Sequence, residues 1–297
     1  MLTYITWTVD PAIFHLFGRE VRWYGLFFAI GFLVGYKIID IMLKRERMPQ
    51  EWADKILIYI IVGTVIGARL GHCIFYGYSD HFSFFDNYYF KHPVEMLKIW
   101  EGGLASHGGA IGIIVAVWLF SRRVTKLSML WTFDRLVVPV ALVGAMIRTG
   151  NLMNHEIYGH PTDMPWAFRF ILNIHQYQQG AEPVFSLPSH PTQIYEALAY
   201  LFIFAALLYL YWKTTVKDRP GFLFGVAVSA IFTARFFIEF IKENQEAFEE
   251  GMLINMGQLL SIPFILMGIF FIIRALKLPP KTVAPIVKNS QKNRPKK

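Results

Sequence analysis

The chain has 297 residues, of which 55% are hydrophobic and 16% aromatic, with a formal net charge of +8 and one cysteine. Soluble domains contain about 45–50% apolar residues, so this composition argues against an ordinary soluble domain and favours a polytopic membrane protein. A single cysteine excludes an internal disulfide framework. The basic residues lie in short loops and in the tail, which favours a role in membrane topology over nucleic-acid binding.

Seven apolar segments are long enough to cross a bilayer. We predict spans at 22–43, 56–77, 103–121, 133–150, 193–212, 222–241 and 256–276. In the second, Gly63, Gly67 and Gly71 recur every four residues, which predicts close packing against another helix. The third is the weakest because it is rich in glycine and contains His107. The predicted fold class is an all-α polytopic integral membrane protein.

The basic residues alternate between connections. They follow the first span (Lys44, Arg45, Arg47, Lys55), the third (Arg122, Arg123, Lys126), the fifth (Lys213, Lys217, Arg219) and the seventh. The intervening loops are poor in Lys and Arg, and 243–250 is acidic. The positive-inside rule therefore places the N-terminus outside and the C-terminus in the cytoplasm. The N-terminus lacks a basic n-region and a cleavage site, so we do not expect a cleaved signal peptide.

We predict one membrane-embedded domain at 1–278. Its longest connection, 151–192, lies outside and holds several prolines and aromatic residues, which favours a partly ordered cap. The tail at 279–297 is rich in Pro and Lys and is predicted to be disordered on the anionic inner leaflet. The 78–102 connection is predicted to form amphipathic arms at the outer surface. Its aromatic residues are Phe82, Phe84, Phe85, Tyr88, Tyr89 and Phe90.

In this topology, polar residues fall near the outer end of six spans. They are Tyr24 in the first, Arg69 and His72 in the second, His107 in the third, Arg148 and Asn151 in the fourth, His190, Gln193 and Glu196 in the fifth, and Arg235 and Glu239 in the sixth. Ionisable groups inside a membrane are costly and usually functional. We therefore predict one polar cavity that opens towards the outer leaflet.

The strongest pointer to a site is the segment 148–159, Arg-Thr-Gly-Asn-Leu-Met-Asn-His-Glu-Ile-Tyr-Gly. It places one Arg, two Asn, one His and one Glu within nine residues, directly after an apolar run. Such a concentration at a membrane boundary favours a functional role. Arg235 and Glu239 are four residues apart on a helix, so they share a face and can pair.

Some of these residues also have structural interpretations. His72 could be a hydrogen-bonded histidine of the packed interior. Trp23 and Tyr24 could belong to an aromatic belt at the membrane interface. Glu196 could cap or pair near the start of its helix.

The histidines do not form a recognised metal motif. His155 and His160 are five residues apart rather than the four of a zincin helix, so nothing requires a metal site. His107 is followed by Gly108 and Gly109, which allow a substrate or another backbone to approach closely. This context favours a functional role for His107.

The 148–159 segment closely resembles the signature of the prolipoprotein diacylglyceryl transferase family. Further matches are Trp23-Tyr24-Gly25, Gly67-Ala68-Arg69-Leu70-Gly71 with Phe75-Tyr76, His107-Gly108-Gly109, His190-Pro191-Thr192-Gln193-Ile194-Tyr195-Glu196, and Arg235-Phe236 with Glu239-Phe240. The resemblance covers nearly all of the chain except the tail. Two departures concern loop geometry: His155 stands where the family usually has Gly, and Lys242-Glu243-Asn244 stands where it often has Arg and an acidic-Pro pair.

The resemblance implies a bacterial inner-membrane enzyme with seven spans. Together with the positive-inside topology, it places the N-terminus and the active site on the periplasmic side. It implies transfer of the diacylglyceryl group of phosphatidylglycerol to the lipobox cysteine thiol of a prolipoprotein signal peptide. The products are a thioether and glycerol-1-phosphate, in the first step of lipoprotein maturation. The expected partners are these two substrates and membrane lipids, with no cofactor, metal or nucleic acid.

The chemistry leads to predicted roles. Arg148 and Arg235 hold the phosphate, and Glu239 orients Arg235. His107 takes the thiol proton, because an unperturbed imidazole titrates near neutrality. Tyr24 positions the head group or the arginines. The predicted phosphatidylglycerol-binding residues are Arg69, Arg148, Asn151, Asn154, Glu156, Gly159, His190 and Gln193.

Two other classes of protein fit the same residues less well. A transporter for an anionic solute could use the arginines as binding groups, but transporters usually need access from both faces. The cytoplasmic halves of the predicted spans contain fewer ionisable residues than the outer halves. A lipid-scaffolding protein would not need so many convergent ionisable groups. Loss of thioether formation on mutation of Arg148 is expected only of the enzyme.

Overall fold

The structure is a computed structural model that describes residues 4–16, 19–78, 86–243 and 254–286. In this part of the chain, seven helices are long and apolar enough to cross a membrane. They are Trp23–Glu46, Glu51–Phe75, Ser106–Thr125, Met129–Met153, Thr192–Lys213, Phe222–Ile241 and Met256–Lys277. The predicted all-α class with seven spans is confirmed, with helix ends that differ by a few residues from the predicted ones. The orientation of the termini stays a prediction.

The regular elements are numbered in chain order. The strands are β1 (Tyr4–Thr6), β2 (Ala12–Leu16), β3 (Arg19–Arg22) and β4 (Ala167–Arg169); the helices are α1 (Trp23–Glu46), α2 (Glu51–Phe75), α3 (Tyr88–Lys91), α4 (Ser106–Phe120), α5 (Met129–Met153), α6 (Ile174–Gln178), α7 (Thr192–Lys213), α8 (Phe222–Ile238) and α9 (Met256–Lys277). A π-helical turn, Ser121–Thr125, extends α4, and a 3₁₀ turn, Glu239–Ile241, extends α8.

The chain divides into two compact units. The first unit comprises residues 1–38 and 134–283, and the second comprises 39–133 and 284–297. The acidic stretch after Glu243, the aromatic residues Phe82, Phe84 and Phe85, and the tail from 287 lie outside the described residues. The single domain at 1–278 and the disordered tail therefore stay predictions.

In the second unit, α2 and α4 pack through glycines. A Cβ atom on Gly67 would lie 2.8 Å from the Cα of Gly112, and one on Gly71 would lie 2.7 Å from the Cα of Gly108. Any side chain at these positions would push the two backbones apart. The close helix packing predicted from the glycine spacing is therefore confirmed.

In the first unit, the carboxylate of Asp134 on α5 holds the start of α8. Its two oxygens accept hydrogen bonds from the backbone N–H groups of Gly221 (2.7 Å) and Phe224 (2.8 Å). These N–H groups have no partner within the helix, so a buried carboxylate satisfies both the hydrogen bonds and the helix dipole. Gly225 of α8 in turn lies against the backbone of Gly268 on α9.

The 151–192 connection is folded in the described structure. Its strand β4 pairs in parallel with β1, with Ile5 opposite Phe168. An apolar cluster of Leu152, Phe168 and Phe170 lies beneath, with Trp7 packed against it. The connection is thereby tied to the end of α5 and to the N-terminal strand, so the segment after Arg148 is held from both sides. Its position as a periplasmic cap stays a prediction.

Candidate functional site

Five ionisable side chains of the first unit form a continuous chain of ion pairs. Arg148 Nε lies 2.9 Å from Glu196 Oε2. Lys242 Nζ lies 3.8 Å from Glu196 Oε1 and 3.6 Å from Glu239 Oε2. Arg235 Nε lies 3.9 Å from Glu239 Oε2, the contact predicted from their spacing. The end of α5, the start of α7 and the end of α8 therefore meet through their charged groups.

This network holds three cations and two carboxylates, so it carries one positive charge in excess. The side chains of Glu196 and Lys242 are 0% and 2% exposed, whereas those of Arg148 and Arg235 are 16% and 34% exposed. Buried charges are tolerated only when they are paired. The interior of the network is thus structural in character, and the arginines at its two ends remain accessible to an anionic ligand.

Lys242 is the buried centre of the network. Burial lowers the pKa of its ammonium group, while Glu196 and Glu239 act in the opposite direction. Arg148 and Arg235 also disfavour its charge, more weakly. The two carboxylates therefore hold the lysine in place, and the lysine in turn separates two carboxylates that would otherwise repel each other.

A second cluster joins the network through Asn151. The Asn151 Oδ1 accepts a hydrogen bond from Arg148 (3.3 Å), and its Nδ2 donates to Glu156 Oε1 (2.8 Å). Asn154 Nδ2 donates to the same Glu156 oxygen (3.1 Å). Gln193 Nε2 donates to the backbone carbonyl of Glu156 (2.7 Å). The polar residues of the 148–159 segment thus form one hydrogen-bonded group, with the exposed carboxylate of Glu156 at its centre.

Gly159 allows this segment to lie against the end of α8. Its N–H donates to the carbonyl of His190 (2.8 Å), and it forms an isolated antiparallel bridge with Lys242. A Cβ atom here would lie 2.8 Å from Thr192 Cγ2 and would collide with the carbonyl oxygen of Ile241. A side chain at this position would therefore displace the backbone that carries Lys242.

Tyr24 and His190 border the same unit. The ring of Tyr24 packs on α5, where a Cβ atom on Gly150 would lie 2.8 Å from Tyr24 Cδ2. The hydroxyl of Tyr195 accepts a hydrogen bond from Trp166 Nε1 (2.8 Å) and lies 3.2 Å from His190 Nδ1. Burial and the neighbouring His160 lower the pKa of His190.

Two predicted site residues, Arg69 and His107, belong to the second unit. The guanidinium of Arg69 donates to four backbone carbonyls, those of residues 95, 96, 102 and 103, at 2.5 to 3.2 Å. The ring of His107 is exposed and packs edge-on against Phe75, with centroids 5.1 Å apart. The contacts of Arg69 favour a structural role. Its substrate binding, and the shared cavity of all six polar spans, stay predictions.

Two members of the network were not among the predicted site residues. Glu196 was named among the polar residues of the predicted cavity and in a family match, with a helix cap or pair as its structural interpretation. Lys242 stood out only as a departure from the family pattern. Their spacing was a usable signal, because Glu196 is three residues after Gln193 and Lys242 is three residues after Glu239. Positions three apart share a helix face. In the described part of the chain, no group of three or more His, Cys, Asp or Glu side chains could hold a metal ion.

Comparison with known proteins identifies the family. The family model described as prolipoprotein diacylglyceryl transferase matches residues 11–274. A phosphatidylglycerol–prolipoprotein diacylglyceryl transferase of Porphyromonas gingivalis is 50% identical over 282 residues, which cover 93% of this chain and 96% of the relative. The protein of the same name from Tolumonas auensis is 45% identical over 271 residues, 91% of this chain and 97% of the relative. The chain therefore belongs to the prolipoprotein diacylglyceryl transferase family.

Proposed function

We propose that this protein transfers the diacylglyceryl group of phosphatidylglycerol to the cysteine thiol of a prolipoprotein. The sulfur attacks the glycerol carbon that carries the phosphate, a C–S bond forms and the C–O bond breaks. The electron pair of that bond leaves with glycerol-1-phosphate, and the thiol proton passes to a base. The products are a thioether-linked lipid and glycerol-1-phosphate, in the first step of lipoprotein maturation.

The observation that carries this proposal is the ion-pair network with one cation in excess. A phosphodiester carries one negative charge, which matches the excess. Arg148 and Arg235 are the accessible ends of the network, and a guanidinium binds phosphate oxygens through two parallel N–H groups. The same donors stabilise the charge that develops on the leaving oxygen as the C–O bond breaks.

The cluster around Glu156 is suited to the glycerol head group. Glu156 accepts hydrogen bonds from Asn151 and Asn154, and its exposed carboxylate can accept further ones. A terminal glycerol presents two hydroxyl groups, which are donors that an ionised carboxylate satisfies well. We assign Glu156 and the two asparagines to head-group recognition, beside the phosphate held by Arg148.

The nucleophile comes from the substrate. A free thiol has a pKa of about 8.5, so it needs a base or a positive field to react near neutrality. The predicted base is His107, assigned from the chemistry of its side chain, and this role stays a prediction. Replacement of His107 by Gln with near-normal turnover would reduce it to a positioning residue.

We place the enzyme in the bacterial inner membrane, with its site towards the periplasmic leaflet. The basic connections after the first, third and fifth spans support this orientation through the positive-inside rule. In this orientation the 148–159 segment lies on the side where a signal peptide presents its lipobox cysteine after crossing the membrane.

The reaction can be tested with purified, detergent-solubilised protein. Phosphatidylglycerol and a lipobox peptide are supplied, and mass spectrometry follows the diacylglyceryl increment on the peptide. We expect modification by the wild type and by Arg123→Ala, an exposed arginine outside the network, but not by Arg148→Ala. A peptide with Ala in place of its Cys should stay unmodified. If folded wild-type protein gives no product with both substrates present, the reading as an anion transporter is favoured instead.

A further inference from the structure

His155 occupies an unusual backbone position in the middle of the Glu156 cluster. Its φ is +58°, in the left-handed region that favours glycine. The ring is 6% exposed. A large side chain is held in an unfavourable backbone conformation only where its contacts compensate for the strain. The contacts of this ring therefore indicate what the residue does.

Both ring nitrogens of His155 are engaged, and together they define its protonation state. The backbone N–H of Ile171 donates to Nδ1 at 3.1 Å, so Nδ1 carries no proton. Nε2 then carries the proton and donates to the carbonyl of Val9 at 2.8 Å. The ring also packs edge-on against Phe170, with centroids 6.2 Å apart. One neutral tautomer thus ties the N-terminal segment and the strand region at 170–171 to the loop between Asn154 and Glu156.

The loop that this ring holds carries the proposed head-group site. Asn154 and Glu156 flank His155 directly, and the carboxylate of Glu156 receives the amides of both asparagines. The backbone N–H of Glu156 donates to the carbonyl of Asn151 at 3.2 Å. A displacement of His155 therefore moves the Glu156 carboxylate away from the residues that join it to Arg148.

We propose that neutral His155 is a positioning residue that holds Asn154 and Glu156 in their head-group-binding arrangement, and that its protonation releases them. A protonated ring has a donor at Nδ1 that faces the N–H of Ile171, so an attractive contact becomes repulsive. The inference rests on the proposed function, because it assigns the loop to binding of phosphatidylglycerol.

Burial of the His155 ring favours its neutral form, and some of its neighbours favour the protonated form. Burial lowers the pKa of His155, while the Val9 carbonyl and Asp10 on the N-terminal segment act in the opposite direction. Arg169, at the end of β4, is engaged with Ser186 and Tyr4, and Glu156 is engaged with the asparagines. Because the folded state disfavours the proton on His155, the neutral ring stabilises the folded protein. This stabilisation is complete above the unfolded pKa of about 6.5. It is lost as the pH falls from there through the lowered folded pKa.

The test compares full-length wild type with His155→Asn in detergent. Asparagine tolerates the left-handed backbone, can keep an acceptor near the position of Nδ1 and does not titrate. The ratio of the kcat/KM values of wild type and variant cancels every titration that the two proteins share, including that of the substrate thiol. We expect a ratio that is constant above pH 7 and falls towards tenfold per pH unit at acidic pH. A ratio that stays flat from pH 8 down to the lowest pH at which both proteins remain folded would overturn the proposal.

A second variant separates positioning from stability. His155→Gly relieves the backbone strain but removes both hydrogen bonds. Above pH 7, where wild-type His155 is neutral, the KM for phosphatidylglycerol should therefore rise by about tenfold, as expected for loss of one to two hydrogen bonds. His175→Asn, which changes an exposed histidine of α6, should match the wild type throughout. A purely structural role would lower the melting temperature of His155→Gly and leave the KM of the folded enzyme unchanged, contrary to the proposal.

Hydrogen exchange tests the contact without any assay of transfer. The amide of Ile171 should lose protection on acidification in wild type, relative to the intrinsic exchange rate, and keep it in His155→Asn. Unchanged protection in wild type would reject the switch even if the enzyme is active. If this amide responds as expected but no transfer occurs, the contact is upheld while the proposed function, and with it the positioning role, fails.

Discussion

Arg69 in the second unit and Arg148 in the first are predicted to lie at the same membrane depth, but they meet different partners. Four backbone carbonyls surround the guanidinium of Arg69, which leaves it little capacity for a ligand. Arg148 meets a carboxylate and an amide oxygen, and part of it stays exposed. The carbonyls occupy the N–H donors of Arg69. The network around Arg148 contains one more cation than carboxylates, so it keeps a positive charge that can attract an anion. Two arginines at the same predicted membrane depth thus have different partners, and of the two we propose a ligand-binding role for Arg148 alone.

The largest expected effect comes from removing the carboxylate of Glu196, the ion-pair partner that Arg148 has and Arg69 lacks. Glu196→Gln leaves Arg148 and the buried Lys242 without their shared carboxylate. Breaking a buried ion pair from one side costs about 3–5 kcal/mol, so we expect a clear fall in the melting temperature and loss of transfer. Thermal unfolding in detergent measures the first effect, and the peptide assay measures the second.

The double variant Glu196→Gln with Lys242→Met provides the control for this prediction. It removes both charges of the Glu196–Lys242 ion pair, so it should recover much of the stability lost in Glu196→Gln. A double variant that is as unstable as the sum of the two single variants would show that the two side chains act independently.

The next effect concerns the chemistry of Arg148 rather than its charge. Arg148→Lys keeps the positive charge but loses the planar fork that binds two phosphate oxygens. We expect kcat/KM to fall by about 100-fold, the order found when one transition-state donor is removed, while the melting temperature changes little. Near-normal turnover would mean that Arg148 acts only as a point charge.

The smallest of the three effects is expected for Arg69→Ala. In contrast to Arg148→Lys, this change should lower stability more than activity. The change removes hydrogen bonds from a charged donor to the backbone of the 95–103 segment, which we expect to cost about 2 kcal/mol of stability. The activity of the protein that remains folded should fall much less than in Arg148→Lys. A large rise in the KM for phosphatidylglycerol at unchanged stability would instead uphold the predicted binding role of Arg69.

The seven helices and the Arg235–Glu239 pair were accessible from the sequence because both depend on local spacing. Apolar runs of about twenty residues match the bilayer, and residues four apart share a helix face. The contact between Glu196 and Lys242 was not accessible in this way. They lie 46 positions apart and meet only because the end of α8 returns to the start of α7, a contact that Gly159 permits.

His155 shows the same limit at a single position. Its departure from the family's glycine was visible in the sequence and raised a question of loop geometry. The answer depends on Val9 and Ile171, which come from distant parts of the chain. By itself, the sequence determined the membrane class, the spans and the segment that carries the proposed site, because these follow from hydropathy and local spacing. The tertiary structure alone decided that backbone carbonyls occupy the donors of Arg69 while Arg148 stays partly exposed. The reason is that the partners of a buried charge come from whichever segments the fold packs around it.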